Sequence, residues 1–141
     1  MKEISVIIPN YNSGKYIQKC INSILEQEYA VNEIIIIDDY STDESKEIIQ
    51  QFEKEHSNII YIRNEKNKGV SFSRNKGIEI AKSEYIMFCD ADDWYEKNAT
   101  KKMMESVERY KADFVFSGYY ITYSSGKKIE IKYNEKIYFN R

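Results

Sequence analysis

Tyr85-Ile86-Met87-Phe88-Cys89-Asp90-Ala91-Asp92-Asp93-Trp94 is a run of apolar, strand-forming residues that ends in three carboxylates and then an aromatic ring. Burying the run is favourable. Burying the acids is not, because an unpaired ionised carboxylate in an apolar interior costs several kcal/mol or more. The stretch therefore reads as a buried strand whose carboxyl end emerges at a polar, ligand-facing rim. There Asp90 and Asp92 could hold a hard cation such as Mg2+ or Mn2+, which prefers oxygen ligands. A strand that simply stops at a turn, with Asp93 capping the next helix, accounts for the same residues. On this stretch alone the two readings stand level.

Working upstream, Ile4-Ser5-Val6-Ile7-Ile8 is β-branched and nearly continuously apolar, the pattern of a strand covered on both faces. Pro9 cannot donate to a ladder and is expected to end it. Asn10 to Gly14 read as a polar loop before a helix with Ile17, Ile21, Ile24 and Leu25 on one face. Residues 34–37 are four isoleucines, a second strand ending in Asp38-Asp39. Tyr40-Ser41-Thr42-Asp43-Glu44 then leads into a helix carrying Ile48, Ile49 and Phe52. Ser41 and Glu44 have capping-box spacing, which explains part of this acidic cluster but not Asp38 and Asp39. Residues 59–62 form a third strand closed by Arg63-Asn64, and residues 67–75 open a third helix reaching about Ala81.

Downstream of the opening stretch, Ala99, Met103, Val107 and Tyr110 keep helical spacing and read as core. Beyond Asp113 a two-residue rhythm in residues 114–123 and 128–133, about Ser124-Ser125-Gly126-Lys127, predicts a hairpin. Residues 134–141 carry no clear signal, and no repeat or low-complexity segment interrupts the chain.

Four strand–helix alternations and a hairpin-like tail predict a three-layer α/β/α fold with a mostly parallel, doubly wound sheet. One domain is expected, with residues 1–112 as its nucleotide-binding core and 113–141 as a β-rich tail. In such sheets ligands bind beyond the carboxyl ends of the strands, at a topological switch point. The first, second and fourth strands end in Pro9-Asn10-Tyr11, Asp38-Asp39 and Asp90-Ala91-Asp92. Three polar strand ends facing one rim favour a site over three separate turns.

Composition narrows the ligand. At 141 residues, 42% hydrophobic and 31% charged, the chain can bury a core and stay soluble. A formal net charge of -2 supplies no general attraction to nucleic acid, and none is expected as a partner. The two cysteines, Cys20 and Cys89, fall in apolar patterns without metal-ligand spacing and read as buried thiols in a reducing compartment. The start lacks a signal peptide's long apolar region, and no stretch approaches the roughly 20 residues of a membrane span. The expected location is the cytoplasm, with peripheral contact at the inner face of the membrane left open. There is no Gly-x-x-x-x-Gly-Lys-Ser/Thr phosphate loop and no Gly-x-Gly-x-x-Gly after the first strand. The single histidine, His56, reads as solvated, and no serine has a nucleophile-elbow context.

Val6-Ile7-Ile8-Pro9-Asn10-Tyr11-Asn12, Ile36-Ile37-Asp38-Asp39-Tyr40-Ser41-Thr42-Asp43, Asn67-Lys68-Gly69 through Ser73-Arg74-Asn75-Lys76-Gly77, and Phe88-Cys89-Asp90-Ala91-Asp92-Asp93 resemble, in order, the signatures of family-2 glycosyltransferases. Each motif alone is weak; four in order on the right elements are specific. The resemblance implies a GT-A fold and inverting, hexosyltransferase-like transfer of a sugar from a nucleotide-diphosphate donor, with a UDP-sugar favoured. It implies a saccharide or lipid-linked acceptor in surface polysaccharide or glycolipid synthesis.

By the same resemblance, Pro9 and Tyr11 line the base pocket, and Asp39 accepts a hydrogen bond from the base. Gly69 lets the backbone approach the nucleotide, and Arg74 approaches the base or diphosphate as a positive donor. Asp90, Ala91 and Asp92 form the DxD motif, in which Asp90 contacts the ribose and Asp92 binds the divalent metal, Mg2+ or Mn2+.

Two departures qualify the match. Tyr40 stands where the family pattern has a small residue, often Gly, so the loop beside the base pocket is expected to be reshaped. No catalytic carboxylate follows the DxD motif, and Glu130 and Glu135 read as solvated strand or turn residues. The general base is therefore expected beyond the chain end, in a longer enzyme of which this is the donor-binding portion. A stand-alone module that binds the donor without turnover is the alternative. A sugar nucleotidyltransferase or an aspartyl phosphatase would place a glycine-rich loop or paired aspartates after the first strand, and neither is present.

Overall fold

A computed structural model describes residues 2–132, which divide into two compact units, one ending at Lys101 and the other beginning at Lys102. The first unit contains β1 (Ile4–Asn10), α1 (Gly14–Leu25), β2 (Glu33–Asp38), α2 (Ser45–Glu55), β3 (Ile59–Arg63), α3 (Val70–Ile80) and β4 (Tyr85–Phe88). Its strands are all parallel, in the order β3-β2-β1-β4. α4 (Ala99–Tyr110) starts at the end of this unit. The second unit holds β5 (Tyr119–Thr122) paired antiparallel with β6 (Lys128–Ile131).

The isoleucine runs form the centre of the sheet because both faces are covered. Ile34, Ile35, Ile36 and Ile37 are fully buried, as are Ile4, Val6, Ile7 and Ile8. Ile7, Ile35 and Ile37 share a face with Ile60 and Ile62, and Ile80 and Ala81 pack on it from the end of α3. α3 sits very close here: a Cβ added at Gly77 would lie 2.4 Å from Ile7 Cγ2. β1, β2 and β3 run in one direction across the sheet, and the chain then returns over β1 to place β4 on its other side. With right-handed crossovers, that reversal puts α1 and α2 on one face and α3 on the other.

Several expectations need correction. Pro9 does not end β1; the strand continues to Asn10, with Pro9 opposite Ile37. Tyr85 N–H donates to Glu3 O and Cys89 N–H to Ile7 O, so the odd-numbered residues of β1 turn their peptide groups toward β4. The last β4 partner is Phe88, opposite Ile7. The missing N–H of Pro9 therefore faces a side where, among the described residues, no strand remains to receive it. β4 itself is an edge strand rather than a buried one, with Ile86 37% and Phe88 45% exposed.

The capping box is also absent. α2 begins at Ser45, whose N–H donates to Asp43 Oδ1 at 3.0 Å, while Ser41 is buried and serves the loop before it. In α4 the buried methionine is Met104, with Met103 only partly covered. In the second unit residues 114–118 are not strand, and Gly126 turns the hairpin at φ 81°. Tyr133, Glu135 and the rest of 133–141 lie outside the described residues.

Candidate functional site

The reversal in strand order falls between β1 and β4, and the polar segments after β1, β2 and β4 extend beyond it. Asp38 and Asp39 are adjacent and chemically identical, but strand alternation sends them to opposite faces. Asp38 is fully buried and acts as a hub. Its Oδ1 accepts from Asn10 Nδ2 at 2.9 Å and from the Ser41 hydroxyl, and its Oδ2 accepts from Tyr61 OH and Arg63 Nε, both at 3.2 Å. Burial and the neighbouring Asp38 push the Tyr61 hydroxyl well above its ordinary pKa. Arg63 Nη2 also donates to Ser41 O at 2.7 Å, and Asn12 Oδ1 accepts from Thr42 N–H at 2.8 Å. The loops after β1 and β2 are thereby fastened to each other. Asn10 Oδ1, also buried, has no hydrogen-bond partner among the described residues.

Asp39 is 4% exposed and turns toward α3. Its Oδ1 accepts from Asn64 Nδ2 and Lys68 N–H, each at 2.8 Å, and its Oδ2 from Gly69 N–H at 2.7 Å. Burial alone would raise its pKa, but these hydrogen bonds outweigh it and hold the carboxyl below its usual range. A carboxylate has about four acceptor positions, so about one is left for a ligand. Gly69 adopts φ 88° and ψ 160°, a region essentially restricted to glycine, and space lies open where a Cβ would stand. It stands at the turn into α3, where its own N–H and that of Lys68 both donate to Asp39. This organising role, and the buried Asn64 that shares it, escaped the sequence reading; an asparagine two residues past a strand carries no distinctive signal.

At β4, Asp90 Oδ1 meets Arg74 Nη2 of α3 at 2.6 Å. Arg74 and Asp90, assigned separate contacts with the ligand, are thus each other's partners across the rim. Ala91 is buried inside a tight turn in which Asp93 N–H donates to Asp90 O at 2.9 Å, while Asp92 points to solvent. Partial burial, then Asp92 and Asp90, raise the pKa of Asp93. Pro9 is buried and Tyr11 is exposed at the end of β1. Tyr40 takes φ 70°, the left-handed region that favours glycine, so its ring is added without the backbone leaving that region. The ring lies 4.8 Å from the Arg63 guanidinium carbon.

Cys20 and Cys89 are buried free thiols with their sulfurs 3.6 Å apart, and Cys20 also lies 3.6 Å from Asp90 O. Their mutual hydrogen bond and burial push the Cys89 thiol far up, so it is inert at neutral pH.

The carboxylates of Asp90 and Asp92 offer oxygen donors, which suit Mg2+ or Mn2+ rather than a softer ion. Among the described residues no three His, Cys, Asp or Glu side chains converge on one metal position. That is compatible with Mg2+, which is commonly held by one or two carboxylates and completed by substrate phosphates and water. Asp90, Asp92 and Asp93 make an acidic turn that a cation would neutralise. No helix of the described residues is long and apolar enough to cross a membrane.

The sequence matches the model of glycosyl transferase family 2 over residues 5–141. It is 39% identical over 117 residues to the glycosyltransferase GlyG of Streptococcus pneumoniae serotype 4, covering 83% of this chain and 39% of that protein. It is also 39% identical over 121 residues to WfaP of Escherichia coli, covering 86% and 47% respectively. WfaP is named a UDP-Glc:alpha-D-GlcNAc-diphosphoundecaprenol beta-1,3-glucosyltransferase. S. aureus TarS 1-349, in a crystal structure with UDP-GlcNAc, superposes with a TM-score of 0.73 at 30% identity, over 79% of this chain and 32% of TarS. The chain thus spans about half or less of the length of these relatives. With a parallel sheet of matching architecture and the family signatures in order, the chain belongs to glycosyl transferase family 2.

Proposed function

We propose that the chain is the donor-binding portion of an inverting glycosyltransferase. It takes a sugar from a nucleotide-diphosphate donor, a UDP-sugar, to a hydroxyl of a saccharide or lipid-linked acceptor in surface polysaccharide or glycolipid synthesis. The observation that carries this reading is the 2.6 Å Arg74–Asp90 contact, which draws a cation from α3 and an acid from β4 together beside the switch point. It is supported by family membership and by TarS, a structural neighbour solved with UDP-GlcNAc.

In this reading Pro9 and the exposed Tyr11 ring flank the base, and the remaining acceptor position of Asp39 takes a base N–H. Lys68 and Gly69 close that side through their bonds to Asp39. Asp90 accepts from the ribose, and Arg74 turns from Asp90 toward the diphosphate as it arrives. Ala91 lets the turn pack so that Asp90 and Asp92 both reach the rim. A divalent ion held by Asp92, Mg2+ or Mn2+, supplies Lewis-acid stabilisation to the leaving diphosphate when bound. Asp90 and Asp92 sit on the leaving-group side, so the general base that takes the acceptor's proton from the opposite side lies outside the described residues. The proposed setting is the cytoplasm, with peripheral contact at the inner face of the membrane left open.

Calorimetric titration with UDP, dTDP, GDP and CDP, each with and without Mn2+, tests the proposal. UDP is expected to bind best and with Mn2+ assistance, and Asp92→Ala should remove the metal dependence. Equally tight, metal-assisted binding by that variant would overturn the assignment of Asp92; no preference for UDP would overturn the donor.

A further inference from the structure

Along the outer face of α1 runs an open groove of about 540 Å3 that the donor site does not use. Lys15 and Lys19 of α1, with Glu26 just after it, form one wall, and Trp94, Tyr95 and Lys97 from the segment after β4 form the other. That segment is held firmly. Tyr95 OH donates to Phe88 O at 2.7 Å, Tyr95 N–H to Ser23 Oγ at 3.1 Å, and Gln27 Nε2 to Glu96 O at 2.9 Å. Lys19 Nζ sits 3.0 Å from the centroid of the Trp94 ring. Three ammonium groups thus line the groove against one carboxylate, and among the described residues none of the three joins an ion pair.

Concentrating like charges in one concavity is unfavourable unless an anion neutralises them, and lysine binds phosphate as a compact point charge. The location gives the charge a purpose. Trp94 is two residues beyond Asp92 in the chain, so the wall it helps form continues from the acidic turn of Asp90, Asp92 and Asp93, whose charge would repel a negatively charged acceptor. Lys15, Lys19 and Lys97 offset that repulsion. We infer that the groove binds a phosphate-bearing part of the acceptor, with these three lysines as its ligands and Trp94 as the platform that positions Lys19. The identity of the ligand as an acceptor rests on the proposed transferase function; its phosphate chemistry rests on the groove alone.

Trp94 is the only tryptophan in the chain, so its fluorescence reports on this groove. The 141-residue protein, in EDTA and at low salt, is titrated with inorganic tripolyphosphate while tryptophan emission is followed. A saturable change is expected that weakens with added salt. A Lys15→Gln/Lys19→Gln/Lys97→Gln variant should bind roughly tenfold or more weakly, and the matching Lys→Arg variant should retain binding. Thermal melting of each variant checks that it is folded.

Vesicles of phosphatidylcholine with and without phosphatidylglycerol form the second arm. A response to tripolyphosphate assigns a soluble phosphate group, and a response confined to the anionic vesicles assigns a lipid headgroup. Equal responses to neutral and anionic vesicles, an unchanged affinity in the Gln variant, or no saturable change in either arm would overturn the inference. UDP and Mn2+ are titrated separately by calorimetry. Their failure to bind the parent would overturn the donor assignment while leaving the tripolyphosphate result to judge the groove.

Discussion

Replacing Asp39 by alanine removes an acceptor that serves three donors at once. The Asn64 amide is buried and would lose its 2.8 Å acceptor, keeping only a long 3.4 Å contact with Ser73 Oγ. A buried donor left in that condition costs about 1–3 kcal/mol. Lys68 and Gly69 are exposed, so water can replace Asp39 at their N–H groups, at a net cost of about 0.5–1.5 kcal/mol each. Relief from burying a carboxylate offsets part of this, leaving an expected destabilisation of about 2–4 kcal/mol for Asp39→Ala. Asp39→Asn should cost less, about 1–2 kcal/mol, because its amide can keep the oxygen toward Asn64 and Lys68 and set its NH2 toward the solvent-accessible Gly69 N–H.

Urea unfolding at neutral pH measures both variants, with unchanged m-values required for the comparison. The pH dependence gives an independent check. The folded-state pKa of Asp39 is lowered, so its stabilising contribution is complete above the ordinary carboxyl value of about 4 and is lost as pH falls through the folded value. The gap between parent and Asp39→Asn should therefore narrow in acid. If Asp39→Ala lies within about 0.5 kcal/mol of the parent, or if the gap widens below pH 4, the anchoring of the loop by Asp39 is refuted.

Two glycines should respond to alanine for different reasons. Gly77→Ala should destabilise by about 1–3 kcal/mol through collision with Ile7. Gly69→Ala, with open space around it, should cost about 1–3 kcal/mol through its backbone conformation alone. Thermal melts of both variants check this, and a neutral result at either position would contradict the corresponding cause. Arg74→Ala should change stability by less than about 1 kcal/mol, because both members of its ion pair are more than a third exposed. The same variant should bind UDP roughly tenfold more weakly, as expected for loss of one charge-assisted contact; calorimetry showing parent-like affinity would remove Arg74 from the donor site.

The parallel sheet was legible because strands covered on both faces appear as unbroken apolar runs, and residues 34–37 are the clearest case. The rim was legible because acids follow those runs. What remained hidden depended on relations that one strand's sequence does not contain. Ile86 and Phe88 look as buried as Ile35, and only the position of β4 at the sheet edge exposes them. Asp38 and Asp39 form a symmetrical pair in the sequence, yet one is an interior hub and the other organises the entry to α3. The Ser41–Glu44 spacing fitted a capping box, but Ser41 is drawn into the buried Asp38 network and Asp43 serves Ser45 instead.

The proline inside β1 bears on why β1 and β4 can part where they do. An ordinary residue at position 9 would present an N–H toward the opening beyond β4, and that donor would demand water or draw residues 89–91 back alongside β1. A prolyl nitrogen makes no such demand. The chain after Phe88 is free to swing away and carry Asp90 and Asp92 up to the rim. The notch left behind lacks a main-chain donor at position 9, which removes one group that could recruit another strand. Pro9 thus acts as a seam stop: the sheet unzips at a fixed residue, and the depth of the cleft is set by the covalent structure of one ring.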